Sequence, residues 1–137
     1  MRNDQKANDW FKQGNSHYEA KRYEEALRCY EQAVNLDSGN NHAWNNRGLC
    51  LAELNHHTEA TSCFAKALQN DPKNVAAWCN LGISLDALGR NEEALQSFDK
   101  ALNLEAKHSI IWERKGNTLR SLGRREDAIT CYDAAVK

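Results

Sequence analysis

The four tryptophans of this chain lie 34 residues apart, at Trp10, Trp44, Trp78 and Trp112. A glycine follows each tryptophan by four residues, and an alanine follows each glycine by twelve. Each alanine is followed four residues later by an aromatic residue and seven later by a second alanine. Composition alone does not keep five positions in phase over four copies. The chain therefore contains an internal repeat, and the 34-residue period is the strongest constraint on its fold.

The period divides the chain into repeats at 7–40, 41–74, 75–108 and 109–137, after an N-terminal tail at 1–6. Each repeat predicts two helices, the first over its first 14 positions. A short polar break such as Gly89–Asn91 follows, and the second helix opens with acidic residues that suit the positive end of its dipole. We therefore expect an all-α array of eight helices, stabilised by contacts between repeats.

Charge and composition narrow the function classes. The formal net charge of −1 argues against electrostatically driven nucleic-acid binding. The chain has no apolar run near the roughly 20 residues that a membrane span needs. The five cysteines form no CxxC pair, and Cys29, Cys63 and Cys131 share one repeat position, which is typical of buried packing residues in a reducing compartment. We expect a soluble cytoplasmic protein without membrane or nucleic-acid partners.

The helical wheel assigns one face of each first helix to packing. In the third repeat this face carries Trp78, Gly82 and Leu85, and the second helix should meet it with Ala94 and Phe98. A glycine and an alanine at such positions allow two helices to approach closely. The repeated tryptophans, glycines, alanines and aromatic residues are therefore interpreted as structural.

These residues resemble the tetratricopeptide repeat. The stretch from Ala77 to Gly82, continued by Leu88–Arg90 and Glu92–Leu95, is similar to its consensus pattern. The resemblance covers residues 7–137 and implies a right-handed superhelical solenoid of antiparallel helix pairs, with a concave groove lined by the first helices. Ser38 and Ala106 depart from the pattern because they stand where proline is usual.

The opposite face of the first helices remains for a ligand. We predict a peptide-binding set there, made of Asn15, Asn45, Asn46, Leu49, Asn80, Ile83, Arg114, Asn117 and Arg120. Asparagine is a mediocre helix former, and its amide both donates and accepts, so it suits the backbone of a bound extended peptide. The alternative is that these asparagines are tolerated polar surface residues.

Two features of this face bear on the choice of ligand. The fourth repeat is basic, and its Arg114 and Arg120 either form a solvated surface or dock an acidic peptide segment. The family also includes carboxylate-clamp chaperone adaptors, which read a C-terminal EEVD tail. Such a clamp needs basic residues at the positions that Phe11, Ala76 and Asn80 occupy here. The sequence therefore disfavours a chaperone-tail clamp.

The sequence predicts a scaffold for protein interactions and not an enzyme. It contains no phosphate-binding loop, dinucleotide motif or nucleophile elbow, and His56–His57 has no metal-ligand spacing around it. We expect no catalytic residue, cofactor or metal.

The alternative function is structural self-assembly. The fourth repeat stops at Lys137 without a polar capping helix, which indicates either a fragment of a longer array or an end that associates with another molecule. We favour a fragment, with weak self-association through the last helix as its consequence.

Overall fold

The structure is a computed structural model that describes residues 2–137, and within those residues it contains eight α-helices and no strand. The expected all-α fold is confirmed. The helices are α1 (Asn3–Glu19), α2 (Tyr23–Leu36), α3 (Asn41–Glu53), α4 (His57–Asn70), α5 (Val75–Ala87), α6 (Asn91–Leu104), α7 (Ser109–Ser121) and α8 (Arg125–Ala135).

The first helix begins earlier than expected. The repeat period predicts a tail at residues 1–6, but residues 3–6 form the first turn of α1. Ala7, only 1% exposed, anchors the next turn, and Asp4 lies at the N-terminus, where the helix dipole favours a carboxylate. A helix that is already nucleated extends by one turn at little cost.

Local chemistry explains where the helices begin and turn. The side chains of Asn40 and Asn74 accept hydrogen bonds from the backbone N–H groups of Ala43 and Ala77, each over 3.1 Å, and so cap α3 and α5. Each turn between the two helices of a pair contains one residue with positive φ. These residues are Lys21 (62°), Asn55 (64°), Gly89 (78°) and Gly123 (80°).

The helices form two compact units, one ending at Pro72 and the other beginning at Lys73. In the first unit, α1 packs on α2 and α3 packs on both α2 and α4. In the second unit, α5 packs on α6, and α7 packs on both α6 and α8. Each unit has its own apolar core, which in the second unit is centred on Phe98, Leu102 and Ile111.

The buried face of the second helix agrees with the wheel, because Ala94, Leu95, Phe98, Ala101 and Leu102 are all buried. The residue opposite each repeat glycine differs from the expectation. The glycine faces the aromatic ring of the second helix and not an alanine. A Cβ atom added to Gly82 would lie 2.6 Å from Cε1 of Phe98. The corresponding distances from Gly14, Gly48 and Gly116 to the aromatic ring of their own repeat differ from this value by at most 0.1 Å.

The first helices bury a second set of residues that the wheel did not assign. The third and tenth positions of the later repeats are at most 1% exposed, as in Ile111 and Thr118 of α7. The tryptophans are only partly buried. The indole N–H of Trp44 donates to the Ser38 carbonyl over 2.9 Å, and that of Trp112 donates to the Ala106 carbonyl over 2.8 Å. The two positions that lack the usual proline thus supply the acceptors.

Candidate functional site

In the first unit, the predicted ligand face consists of residues on α1 and α3. Asn15, Asn46 and Leu49 are half-buried there. Asn45 is different, because only 7% of its surface is exposed. In the second unit, Cys79 holds the same repeat position on α5 and is buried in one core cluster with Ile111 of α7. This position is therefore buried by packing in both units, so Asn45 is less accessible than Asn15, Asn46 and Leu49, and its contact with a ligand stays a prediction.

Asn15 and Asn46 are joined by hydrogen bonds. The Oδ1 atom of Asn15 accepts from the Tyr30 hydroxyl over 2.6 Å and from Nδ2 of Asn46 over 3.2 Å. Tyr30 is 1% exposed, and burial, followed by the nearby Cys50 thiol, raises its pKa above the ordinary value. The hydroxyl therefore keeps its proton and acts as a donor. Both amides are consequently held in fixed orientations.

In the second unit, the predicted ligand face consists of residues on α5 and α7. Asn80, Ile83 and Asn117 are half-buried, whereas Arg114 and Arg120 are exposed. The two guanidinium groups form no ion pair with any carboxylate in the part of the chain that the structure describes. Arg114, Asn117 and Arg120 follow one another at three-residue spacing and so form a row along one side of α7.

Asn117 also has a structural partner that sequence reasoning missed. Its Oδ1 accepts from the Tyr132 hydroxyl over 2.7 Å. Asn15 and Asn117 hold the same repeat position, and both of their repeats carry tyrosine as the second-helix aromatic. The two repeats with Phe64 and Phe98 instead carry Leu49 and Ile83 there. This matched change of residue types was visible in the sequence and was the signal that could have identified the pairs.

The cysteines show no sign of reactive chemistry. All five are free thiols and all are buried, as the sequence predicted for Cys29, Cys63 and Cys131. Burial raises the pKa of Cys50 to about 12 and that of Cys63 to about 11. A thiol with such a pKa is a poor nucleophile at neutral pH. Within residues 2–137, His, Cys, Asp and Glu form no group that could hold a metal, and every helix is too short or too polar to span a bilayer.

Comparison with known families agrees with this helical pattern. Three family models, each described as Tetratricopeptide repeat, match residues 11–75, 63–96 and 110–137. The chain belongs to the tetratricopeptide repeat family. Tetratricopeptide repeat domains are in general protein-interaction modules without catalytic activity.

A curated relative, the STIP1 homolog of Dictyostelium discoideum, is 39% identical over 49 residues. The match covers 36% of this tetratricopeptide repeat chain and 9% of that protein, so the chain spans a small part of its relative.

Solved tetratricopeptide repeat structures share the fold. The Arabidopsis OM64 domain has a TM-score of 0.85 at 27% identity, with 87% of this chain and 98% of that one covered. The first such domain of Spaghetti (RPAP3), bound to the HSP90 peptide SRMEEVD, has a TM-score of 0.86 at 24% identity. The match covers 88% of this chain and 95% of that one. MamA has a TM-score of 0.91 at 17% identity, with 95% of this chain and 76% of that one covered.

Proposed function

We propose that this chain binds a segment of another protein, in an extended or short helical form, on the ligand faces of its first helices. The observation that carries the proposal is the row of Arg114, Asn117 and Arg120 on α7. Its guanidinium groups have no carboxylate partner among residues 2–137, and the Nδ2 group of Asn117 is not used in the bond to Tyr132. The row therefore offers donors to a ligand rich in acceptors.

The same row favours an acidic ligand segment. Arginine guanidinium groups bind carboxylates by paired, charge-assisted hydrogen bonds. Glu113 also lies on this side of α7, so the preference is moderate. Electrostatic attraction of this kind acts mainly on the association rate and on the orientation of the ligand. Ile110, which is 56% exposed on the same helix, adds an apolar contact for a neighbouring ligand side chain.

The ligand face of the first unit suits backbone recognition. The hydrogen bonds from Tyr30 and Asn46 to Asn15 orient the two amides before a ligand arrives. Side chains that are already ordered lose less conformational entropy on binding. Leu49, beside them, supplies apolar surface. We expect each amide that contacts the ligand backbone to contribute about 1 kcal/mol net.

Solved relatives support peptide binding and also limit the ligand. The Spaghetti domain is described in complex with an HSP90 peptide that ends in EEVD. This chain carries Phe11, Ala76 and Asn80 where a carboxylate clamp needs basic residues. The proposed ligand is therefore an acidic internal segment and not a free C-terminal EEVD tail.

The test is a peptide-display selection against the chain, followed by affinity measurements on the selected peptides. We expect enrichment of Asp and Glu, and about a tenfold loss of affinity in the double variant Arg114→Ala/Arg120→Ala. The matched control is Lys100→Ala/Arg125→Ala, which removes two exposed cations that also lack an ion pair among residues 2–137. Equal losses in both variants, or selection of neutral peptides, would refute the acidic-segment proposal.

A second candidate function is self-assembly through α8. It is favoured by the exposure of two large apolar side chains, Ile129 of α8 at 58% and Val136 at its C-cap at 86%. Sedimentation over a concentration series tests it, because a self-assembling chain gains mass as its concentration rises. A constant monomer mass would exclude this candidate.

A further inference from the structure

The first helices of the first unit end in carboxylates. Glu19 is the last residue of α1 and Glu53 is the last residue of α3, and the two hold the same repeat position. The C-terminal end of a helix carries a partial negative charge, which disfavours a carboxylate there. In the second unit, α5 and α7 end at that position in the uncharged Ala87 and Ser121. The first unit thus carries, at the ends of both first helices, a charge that helix formation does not favour.

Neither carboxylate is neutralised by the chain itself. Both side chains are exposed, and neither forms an ion pair with a cation among residues 2–137. Lys21, in the turn after α1, also makes no ion pair in this part of the chain. Arg22, the next cation, lies instead 3.2 Å from Nδ1 of His17 and 3.9 Å from the carboxylate of Glu25. A charge that opposes helix stability without a compensating partner in the fold is expected at a functional position.

Two half-buried tyrosines accompany these carboxylates. Tyr18 directly precedes Glu19 in the sequence. Burial raises the pKa of Tyr18, and the charge of Glu53 raises it further, so this carboxylate lies within electrostatic reach of the phenol. The rings of Tyr18 and Tyr23 meet edge to face, with their centroids 5.4 Å apart and their planes at 68°. An edge-to-face pair leaves the faces of one ring free of the other, and an aromatic face attracts a cation.

We propose that the ends of α1 and α3, together with these two tyrosines, form a subsite for a Lys or Arg side chain of the bound protein segment. The inference rests on the proposed function and adds a basic residue to a ligand whose acidic residues bind α7. The cation pairs with Glu19 and Glu53, and the rest of the side chain lies against the ring of Tyr18. Charge complementarity decides the occupant. At the repeat position of Tyr18, α7 carries Arg120, which would repel the same side chain.

The first test does not need the sequence of the ligand. Acetyl-arginine methylamide is titrated into the full chain and followed by NMR chemical shifts, with acetyl-norleucine methylamide as the uncharged control probe. We expect saturable shifts at Tyr18, Glu19 and Glu53 with the arginine probe only, at the millimolar concentrations that suit a single side chain. Equal shifts with the norleucine probe, or no saturable shift at these residues, overturn the proposal.

Charge-neutral variants test the role of the carboxylates. We expect Glu19→Gln/Glu53→Gln to abolish saturable binding of the arginine probe. The matched control is Asp9→Asn/Glu59→Gln, which removes two exposed carboxylates that also lack an ion pair among residues 2–137. Asp9 lies on the opposite side of α1 from Tyr18. Equal losses in the two double variants would show an effect of net charge alone, and would overturn the subsite.

Unfolding gives a readout that a structural role would move in the other direction. We expect Glu19→Gln/Glu53→Gln to unfold at a higher urea concentration than the wild type, because it removes an unfavourable charge from the ends of two helices. A lower midpoint would show that the carboxylates stabilise the fold, and would contradict their assignment to a ligand.

Peptides selected by display against the chain separate this inference from the proposed function. We expect the selected peptides to share one Lys or Arg. Replacing it by norleucine should weaken binding to the wild type about tenfold and have little effect on binding to Glu19→Gln/Glu53→Gln. Selected peptides without a shared basic residue would refute the subsite and leave the proposed function standing. Failure to select any peptide, with the arginine probe still bound, would refute the proposed function alone.

Discussion

Tyr132 donates its hydroxyl to Oδ1 of Asn117 over 2.7 Å, and Tyr30 donates to Asn15 over 2.6 Å at the same two repeat positions. Where the aromatic residue is Phe64 or Phe98, the partner position is Leu49 or Ile83. The chain therefore contains a polar and an apolar version of one contact between the first and second helix of a pair.

The first prediction exchanges these two versions. Asn117→Leu should lower the free energy of unfolding by about 1–3 kcal/mol, because it leaves the Tyr132 hydroxyl without its acceptor. Asn117→Leu combined with Tyr132→Phe should recover most of that loss, since it recreates the residue pair of the second repeat. Urea unfolding of the two single variants and the double variant measures the coupling. Additive losses would show that the hydrogen bond does not connect the two positions energetically.

The second prediction concerns the close contact at Gly82. Gly82→Ala should destabilise the chain by about 1–2 kcal/mol, although alanine favours a helix, because its Cβ would lie 2.6 Å from the buried ring of Phe98. Gly39→Ala is the control, since the nearest atom to its Cβ, Oδ1 of Asp37, is 3.5 Å away. Thermal unfolding of both variants decides the matter, and a more stable Gly82→Ala variant would contradict the steric argument.

The third prediction adds a missing helix cap. His108 is the N-cap of α7 but makes no capping hydrogen bond, and its buried Nδ1 has no partner among residues 2–137. Asn40 and Asn74 cap α3 and α5 from the same repeat position. His108→Asn should therefore raise the free energy of unfolding by about 1 kcal/mol, as measured in urea. His108→Ala, which provides no acceptor, should not show this gain; equal stability of the two variants would rule out the capping explanation.

The fourth prediction follows from the buried thiol of Cys50. Burial, with smaller effects of Glu53 and Cys29, raises its pKa from 9.0 to about 12. Above pH 9.0 the unfolded thiol ionises while the folded one keeps its proton, so this contribution to stability is present below that pH and is lost as pH rises toward 12. The loss is at most about 1.4 kcal/mol per pH unit.

Urea unfolding of the wild type and of Cys50→Ala at pH 8 and pH 10.5 checks this dependence. We expect the destabilisation caused by the substitution to be about 2 kcal/mol smaller at the higher pH. An unchanged difference between the two proteins would mean that the thiol titrates equally in the folded and unfolded states.

The sequence by itself determined the helices and most of their packing faces. Repeat period, acidic first turns and the wheel position of Phe98 depend on residues within one helical hairpin, so a linear pattern records them. It also determined the family and the exposed arginines of α7. The extra helical turn at residues 3–6 lies outside the repeat pattern, and the period therefore did not indicate it.

Only the tertiary structure decided which of the predicted ligand residues also have structural roles. It assigned Asn15 and Asn117 to tyrosine hydroxyls, buried Asn45, and placed an aromatic ring against each repeat glycine. It also buried Ala43 and Cys50 of α3 and Ile111 and Thr118 of α7, since each of these two helices packs on two neighbours within its unit. A helical wheel describes one helix and its periodicity. The atoms that approach from a neighbouring helix depend on how the helices pack, and that information is not local in the sequence.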